Sequence, residues 1–319
     1  MNDPQIAILI AAWKAEKTLE RAVVSAQAQS VPVEIIIVDD ASPDDTLALA
    51  KRLAADDPRI TVLAQTENGG PAAARNRAIA QSTAPWLTVL DSDDYMEADR
   101  LAALLALAEQ HDADFVADDI FKVDEADPNG PRSRMYADDR LGEQWLSTAS
   151  FVEANLSSKH GGRRELGFLK PLMRRSFLEA EDLSYVDMIL GEDYVLYATA
   201  LASGARFLLV DPKGYIAVVR PDSLSGWHPT HAHADLMAAD QILLDRPDLP
   251  EDARDALRIH KTEQHKKWAW RRLIDAKREK SLSGALSAFQ APLPVAIDLA
   301  GKLVTDVFQR ATGRHSTQK

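Results

Sequence analysis

The sequence contains no cysteine, which excludes disulfide bonds, thiolate zinc sites and a cysteine nucleophile. Its longest uncharged run, residues 281–297, is broken by serine, glutamine and two prolines, so it does not predict a transmembrane helix. The N-terminus shows no basic segment followed by an apolar one, as a signal peptide would. We therefore expect a cytoplasmic protein, and 319 residues suffice for one large α/β domain or a domain with an appendage.

A glycine-rich phosphate-binding loop is also missing. The first apolar run, residues 6–12, leads into Ala11-Ala12-Trp13-Lys14, which has none of the glycines of a GxGxxG motif. This excludes a dinucleotide-binding Rossmann domain. It also counts against a sugar nucleotidyltransferase, which is expected to carry a glycine-rich loop with Arg or Lys at this place.

The net charge of −12 is unevenly distributed along the chain. Residues 254–319 hold 14 Lys and Arg against 6 Asp and Glu, whereas residues 1–253 hold 23 against 43. An acidic body argues against general binding of nucleic acids. The basic C-terminal segment needs a separate explanation.

Apolar runs alternate with helical patterns through the first 115 residues. Residues 6–12, 33–38, 60–63 and 85–90 predict strands, and the segments between them predict helices. This alternation indicates a mostly parallel sheet with right-handed crossovers. Further strands are predicted near residues 114–117, 206–210 and 215–219, with helices over residues 145–156, from residue 191 to about 203, and beyond residue 231.

Carboxylates follow two of the predicted strands. Asp91, Asp93 and Asp94 follow residues 85–90, and Asp39-Asp40 ends the second strand. Such crowding raises the pKa of each carboxyl unless a cation cancels the repulsion, and oxygen ligands suit Mg²⁺ or Mn²⁺. Ligands gather at the carboxyl ends of strands in open α/β sheets. The alternative is that these residues cap the helices that follow.

Several motifs in order resemble a family 2 glycosyltransferase of the GT-A fold. They are residues 35–46 (IIIVDDASPDDT), 68–76 (NGGPAAARN) and 90–94 (LDSDD), followed by residues 191–193 (GED) and the segment from Arg220 to His228. The resemblance implies a Rossmann-like, mostly parallel central sheet flanked by helices, with a C-terminal helical extension. It further implies a nucleotide-sugar-binding half over residues 1–117, an acceptor-binding half over 118–230 and the extension over 231–319.

The resemblance also implies roles for individual residues. Asp40 would bind the uracil with support from Asp39, and Asp91 would hold ribose or sugar hydroxyls. Asp93 would ligate Mn²⁺ or Mg²⁺, with His228 as a further ligand or simply a surface histidine. The nucleotide-sugar contacts also include Ala11, Trp13, Arg75 and Ser92, although a solvated helix face is an equal alternative for Arg75. Asp193 would be the general base, with Glu192 as the next candidate.

The implied activity is inverting, metal-dependent transfer from a nucleotide-sugar, in the first place a UDP-sugar. The acceptor would be a saccharide or lipid-linked saccharide in surface polysaccharide synthesis. A sugar nucleotidyltransferase and a non-catalytic saccharide-binding module are the alternatives.

The basic C-terminal segment contains Trp268 and Trp270 and an apolar stripe, Leu299, Leu303 and Val307. A basic amphipathic helix can lie on an anionic membrane, here the inner face of the cell membrane. The alternative is an ordinary helix packed on the protein.

Overall fold

The computed structural model describes residues 3–156, 165–220 and 229–311. The chain divides into two compact units, Met1–Gly226 and Trp227–Lys319. Below, these are called the α/β unit and the helical unit.

The α/β unit contains all the strands of the described residues. In chain order they are β1 (Ile6–Ala12), β2 (Val33–Asp39), β3 (Ile60–Ala64), β4 (Trp86–Val89), β5 (Tyr95–Met96), β6 (Phe115–Asp118), β7 (Phe121–Asp124), β8 (Ser133–Arg134), β9 (Gln144–Leu146), β10 (Leu172–Arg174), β11 (Phe207–Val210) and β12 (Tyr215–Val219). Its helices are α1 (Leu19–Gln27), α2 (Thr46–Asp56), α3 (Gly70–Gln81), α4 (Arg100–His111), α5 (Thr148–Ala154), α6 (Arg175–Ala180) and α7 (Glu192–Ala202), with a 3-10 turn at Leu166–Phe168.

Eight strands form the central sheet in the order β3-β2-β1-β4-β10-β6-β11-β9. The pairs β3–β2, β2–β1, β1–β4 and β6–β11 are parallel, whereas β10 and β9 pair antiparallel with their neighbours. The residues of β1 and β2 are almost all buried, as expected for strands covered on both faces. A second sheet has the order β5-β12-β7-β8.

The start of the helix predicted over residues 145–156 was wrong because tertiary contacts decide the backbone there. Residues 144–146 form β9, which pairs with β11, and α5 starts only after Ser147, whose hydroxyl accepts the Ser150 amide at 3.1 Å. Near the end of β2, the Ser42 hydroxyl accepts the Lys14 amide at 3.2 Å, and α2 begins at Thr46.

The helical unit consists of α8 (Thr230–Leu244), α9 (Glu251–Glu279), α10 (Leu282–Phe289) and α11 (Leu293–Ala311). Its core joins Ala269 of α9, Ala288 of α10 and Val295 and Leu299 of α11, and Trp268 and Trp270 pack against it. Leu299 and the two tryptophans are therefore packed within this unit. No helix in the part of the chain that the structure describes is long and apolar enough to cross a membrane.

Candidate active site

The acidic strand ends meet at one edge of the central sheet. Since β2, β1 and β4 are parallel neighbours, their carboxyl ends open onto the same side. Asp39 ends β2, and the segment from Asp91 to Asp94 follows β4. This arrangement agrees with the sequence prediction. Between β3 and β4 in the chain lies α3, which contacts both acidic segments.

Asp40 is bound to the N-terminus of α3. Its carboxylate accepts the Gly69 amide at 2.7 Å and the Gly70 amide at 2.8 Å, together with the side-chain amide of Gln65. Amides at a helix N-terminus lack partners within the helix and favour a negative charge. Asp40 is 3% exposed, and in this structure its carboxylate stabilises the N-terminus of α3.

Asp39 retains an oxygen without a partner. Its Oδ2 accepts the Ser42 amide at 3.2 Å, while Oδ1 is buried and has no hydrogen-bond partner among the described residues. A buried carboxylate oxygen left unpaired is costly, so a donor from a ligand would be favoured there.

The loop after β1 carries an exposed tryptophan. Lys14 adopts a left-handed backbone with φ of 53°, and the Thr46 hydroxyl fixes the next residue by accepting the Ala15 amide at 2.8 Å. The Lys14 ammonium lies 4.1 Å from the centre of the Trp13 ring. Trp13 remains 42% exposed, so part of its ring is open to a stacking partner. The neighbouring Ala11 is half-buried at the end of β1.

Arg75 joins three carboxylates. Its Nη1 donates to Glu192 Oε1 at 2.9 Å and to Asp193 Oδ1 at 3.0 Å, and its Nη2 donates to Asp91 Oδ1 at 3.1 Å. The side chain is only 5% exposed, so the solvated helix face considered for Arg75 is wrong. One guanidinium from α3 thus holds together the strand end after β4 and the start of α7.

Lys170 completes this group, and sequence reasoning missed it. Its ammonium lies 3.0 Å from Asp193 Oδ2 and 3.1 Å from Asp91 Oδ2. The available signal was a single lysine in the apolar run of residues 168–173, since a buried lysine needs carboxylate partners. We call Arg75, Asp91, Lys170, Glu192 and Asp193 the ion cluster.

The charges of the ion cluster shift the pKa values of two of its carboxyl groups in opposite directions. Burial works against the charge of Asp91, but attraction by Lys170 and Arg75 is stronger in sum, and its pKa lies below the usual range. Burial raises the pKa of Glu192, the nearby charge of Asp193 raises it further, and Arg75 offsets this only in part. Lys170 is buried, yet Asp193 and Asp91 hold its pKa above the ordinary value.

Asp93 lies beside the cluster and is paired with Arg220, which follows β12. Arg21 of α1 donates to the backbone oxygen of Asp93. Both side chains of the Asp93–Arg220 pair are about one third exposed, so a ligand can reach them. Ser92 lies in the turn closed by the hydrogen bond from the Asp94 amide to the Asp91 carbonyl, at 3.1 Å.

Asp94 is a buried structural carboxylate. Its Oδ1 accepts the Val218 amide and its Oδ2 accepts the Tyr215 hydroxyl, both at 2.9 Å. Burial raises its pKa, and the charges of Asp91 and Asp93 add to this effect. Since α4 begins at Arg100 after Asp99, neither Asp93 nor Asp94 caps it, and the capping alternative is wrong.

One carboxylate of this site, that of Asp93, is available to bind a metal ion. Within the described residues no three His, Cys, Asp or Glu side chains are grouped to hold an ion. Both Asp91 oxygens are engaged by cations, which leaves Asp93 as the accessible oxygen ligand. Mg²⁺ is often bound by one or two carboxylates with substrate phosphates completing its shell, so Asp93 fits this role. His228 and the serines near it lie outside the described residues.

Comparison with known proteins gives consistent results. The chain is 40% identical to the succinoglycan biosynthesis protein ExoU of Rhizobium meliloti over 313 residues, which cover 96% of this chain and 88% of ExoU. It is 33% identical to ExoO of the same organism over 287 residues, covering 89% and 80%. The structure resembles Staphylococcus aureus TarS 1–349 in complex with UDP-GlcNAc, with a TM-score of 0.65, 18% identity and 90% coverage of each chain.

A second solved structure is the mannosyltransferase PcManGT of Pyrobaculum calidifontis in complex with GDP-Man and Mn²⁺. Its TM-score is 0.55 at 18% identity, covering 98% of this chain and 83% of that one. These likenesses confirm the GT-A fold that the motifs implied. The model of the glycosyl transferase family 2 matches residues 7–179. This chain therefore belongs to glycosyl transferase family 2 and is a glycosyltransferase.

Proposed function

We propose that the chain transfers a sugar from a UDP-sugar to a saccharide or lipid-linked saccharide, with inversion, during synthesis of an exopolysaccharide. Two relatives named for succinoglycan biosynthesis support the polysaccharide role, and a structural neighbour with bound UDP-GlcNAc supports the donor class. Family membership favours this reading over a nucleotidyltransferase or a non-catalytic module.

The ion cluster is the observation that carries the proposal. The acceptor hydroxyl needs a base as it attacks the anomeric carbon, and Asp193 lies at the start of α7 with a carboxylate held by Arg75 and Lys170. Each carboxylate oxygen has a second lone pair, so Asp193 can take the proton while these contacts persist. The new bond forms opposite the departing diphosphate, which inverts the anomeric centre. Glu192 is the second candidate for the base.

The donor is held by the neighbouring strand ends. The motifs implied that Asp40 binds the uracil, but amides of the α3 N-terminus already occupy both of its oxygens. We therefore assign the imide N–H of uracil to Asp39 Oδ1, the buried oxygen without a partner among the described residues. Asp40 supports this site by fixing the N-terminus of α3, and Trp13, next to Ala11, packs on the base. On the sugar side, Asp91, which is paired with Arg75, and the adjoining Ser92 would offer oxygens to ribose or sugar hydroxyls.

In this proposal the diphosphate lies next to Asp93 and Arg220. Asp93 would hold Mn²⁺ or Mg²⁺, with His228 as a further ligand, and the ion would neutralise charge that develops on the leaving diphosphate. Arg220 donates to Asp93 in this structure and can turn its guanidinium to a phosphate oxygen.

Asp193→Asn is the experiment that tests the proposal. The substitution keeps the shape of the side chain and removes its charge and basicity. We expect transfer to fall by about a hundredfold or more, because general bases contribute effects of that size, while UDP with metal still binds. Sugar transfer is measured with a radiolabelled donor and UDP binding by calorimetry.

Asp187→Asn is the matched control, since Asp187 is an exposed aspartate six residues before Asp193 that has no hydrogen bond or ion pair with the cluster among the described residues. It should transfer sugar like the unaltered protein. If Asp193→Asn stays fully active, Asp193 only occupies the helix start, and Glu192 becomes the base.

A further inference from the structure

The helical unit contains a cavity of about 450 Å³ that the proposed transfer reaction does not use. It is lined by residues of α8, α9 and the start of α11. Its volume lies in the range of sites for small molecules. The chemistry of its walls indicates what it can bind.

One wall is basic and comes from a single helix. Arg254, Arg258, Lys261 and His265 of α9 line the cavity at successive spacings of four, three and four residues. This spacing puts them on one helical face. None of the described residues that line the cavity is acidic. Like charges on one helical face repel, so an anion in the cavity would relieve a real cost.

The hydrogen bonds of this wall leave positive charge for a ligand. Arg254 is fixed by backbone carbonyls, at 2.6 Å from Leu244 and 3.1 Å from Leu249, and these carry no net charge. Lys261 donates to the neutral side-chain amide of Gln241. Arg258 is paired with the carboxylates of Glu251 and Asp255, and its side chain is 55% exposed. Glu251 also lies 3.9 Å from Arg254 Nε, so these two carboxylates offset only part of the charge of Arg254, Arg258 and Lys261. Burial and the charge of Lys261 lower the pKa of His265, as expected where positive charge collects.

The remaining wall is apolar. Leu244 of α8, Pro292 just before α11 and Val295 of α11 line the cavity, and Val295 belongs to the core of the helical unit. A small inorganic anion would leave this wall without contact. A molecule with an anionic group and an adjoining apolar part can satisfy both walls.

We propose that this cavity binds a phosphate group carried by an apolar molecule. Arg254 and Lys261 would bind the phosphate oxygens, Arg258 would share its charge from the rim, and the apolar part would lie on Leu244 and Val295. A phosphate of this kind is present in lipid headgroups and in soluble phosphate esters. The site is formed by residues of the helical unit alone and shares no residue with the donor site proposed above.

The test uses the full chain and four probes. They are inorganic pyrophosphate, the soluble short-chain lipid dioctanoyl phosphatidic acid, phosphatidylcholine vesicles, and the same vesicles with phosphatidic acid. Binding is measured by calorimetry for the soluble probes and by flotation for vesicles. We expect the short-chain lipid to bind and Lys261→Gln to weaken its binding about tenfold or more, because the substitution removes a charged hydrogen bond to the phosphate.

Lys277→Gln is the matched control, because Lys277 is an exposed lysine on the same helix outside the cavity. It should bind like the unaltered protein, and Lys261→Arg should retain binding because it keeps the charge. Equal weakening by Lys261→Gln and Lys277→Gln would overturn the proposal, as would no binding of the short-chain lipid. If Lys261→Gln fails to fold, the comparison of Lys261→Arg with Arg254→Gln serves the same purpose.

The four probes also identify the source of the phosphate. Binding of pyrophosphate as tight as that of the short-chain lipid would contradict the proposal, because the apolar wall would then contribute nothing. Binding of the short-chain lipid without binding of the vesicles that contain phosphatidic acid supports a soluble phosphate ester. Binding of phosphatidic acid, both as short-chain lipid and in vesicles, without binding of pyrophosphate or of plain phosphatidylcholine vesicles supports a membrane headgroup. Vesicle binding that does not depend on Lys261 would contradict the proposal, because the cavity would then not be the contact.

Discussion

Arg75 has three carboxylate partners that are 16, 117 and 118 residues away in the sequence. Removing one partner of a buried ion pair costs more than the pair contributes, because an uncompensated charge stays behind. The position of Arg75 in a motif was readable from the sequence. Its partners were not, because they meet only once the sheet and α7 are assembled.

Asp39 and Asp40 should respond differently to the same substitution. Asp39→Asn keeps one acceptor but removes the charge that we assign to uracil, so UDP binding should weaken about tenfold or more. Asp40→Asn leaves an amide of the α3 N-terminus without its acceptor, so the free energy of unfolding should fall by about 1 kcal/mol or more. Calorimetry with UDP and urea denaturation measure the two effects. Unchanged UDP binding in Asp39→Asn would return the uracil contact to Asp40, as the motif implied.

Glu192 predicts a pH dependence of stability. Its pKa is raised in the folded protein, so the folded state binds the proton more tightly than the unfolded state does. Its contribution to stability is therefore complete below about pH 4.3, the ordinary Glu pKa, and is lost as the pH rises through the raised value. Between pH 4 and 7 the free energy of unfolding should decline relative to that of Glu192→Gln. Urea denaturation over this range tests the sign, and a difference that grows with pH would contradict it.

Among the secondary-structure elements, the sequence predicted best the strands that are covered on both faces. The strands β1 and β2 are continuous apolar runs, and the helix start at Glu192 follows a glycine, so local residues suffice. Residues 144–146 form a strand only because they pair with the edge of β11, and the local sequence pattern does not indicate this pairing. Likewise, Lys170 sits in an apolar run whose two carboxylate partners lie elsewhere in the chain.

The C-terminal helices expose a different apolar face from the predicted one. Leu299 of the predicted stripe is packed in the core, whereas Leu282, Leu286, Leu293 and Ile297 are 63–83% exposed. A membrane contact through these helices, which remains a proposal, would use this exposed row.

The double substitution of Leu282 and Leu286 to Gln tests the exposed row. Flotation with anionic vesicles should fall several-fold, because apolar insertion and charge act together at a membrane surface. Thermal stability should change little, since both side chains are already in solvent. Ile242→Gln, at an exposed isoleucine of α8, is the control and should float like the unaltered protein. Equal flotation of the double variant would remove the exposed row as a membrane contact.

The charge of the whole molecule bears on how the donor binds. Residues 1–253, with 23 basic against 43 acidic side chains, make an acidic body, and a sugar diphosphate is itself an anion. Long-range repulsion of this kind lowers association rates and affinity unless local cations offset it. Arg220 supplies one positive charge near Asp93, and a divalent cation carried with the diphosphate would supply more.

EDTA should therefore abolish transfer from the UDP-sugar, and Mn²⁺ added in excess of the EDTA should restore it. The measurement is sugar transfer at a donor concentration near the KM, with and without chelator. EDTA loaded beforehand with an equal amount of Mn²⁺ is the control for effects of the chelator itself. Full activity in EDTA would show that Arg220 and its neighbours neutralise the diphosphate unaided, and Asp93 would then lose its role as metal ligand.

The contacts of Asp193 also bear on wasteful loss of the donor. A lone water molecule brings few contacts of its own, whereas a saccharide acceptor brings many hydroxyls. Because Arg75 and Lys170 each occupy one lone pair of an Asp193 oxygen, a proton donor must reach the remaining lone pairs next to two cations. If Asp193 is the base, as proposed, an acceptor hydroxyl held by further contacts should reach it more readily than a water molecule, and the donor should be hydrolysed slowly. The ratio of donor hydrolysis to sugar transfer in the unaltered protein measures this discrimination.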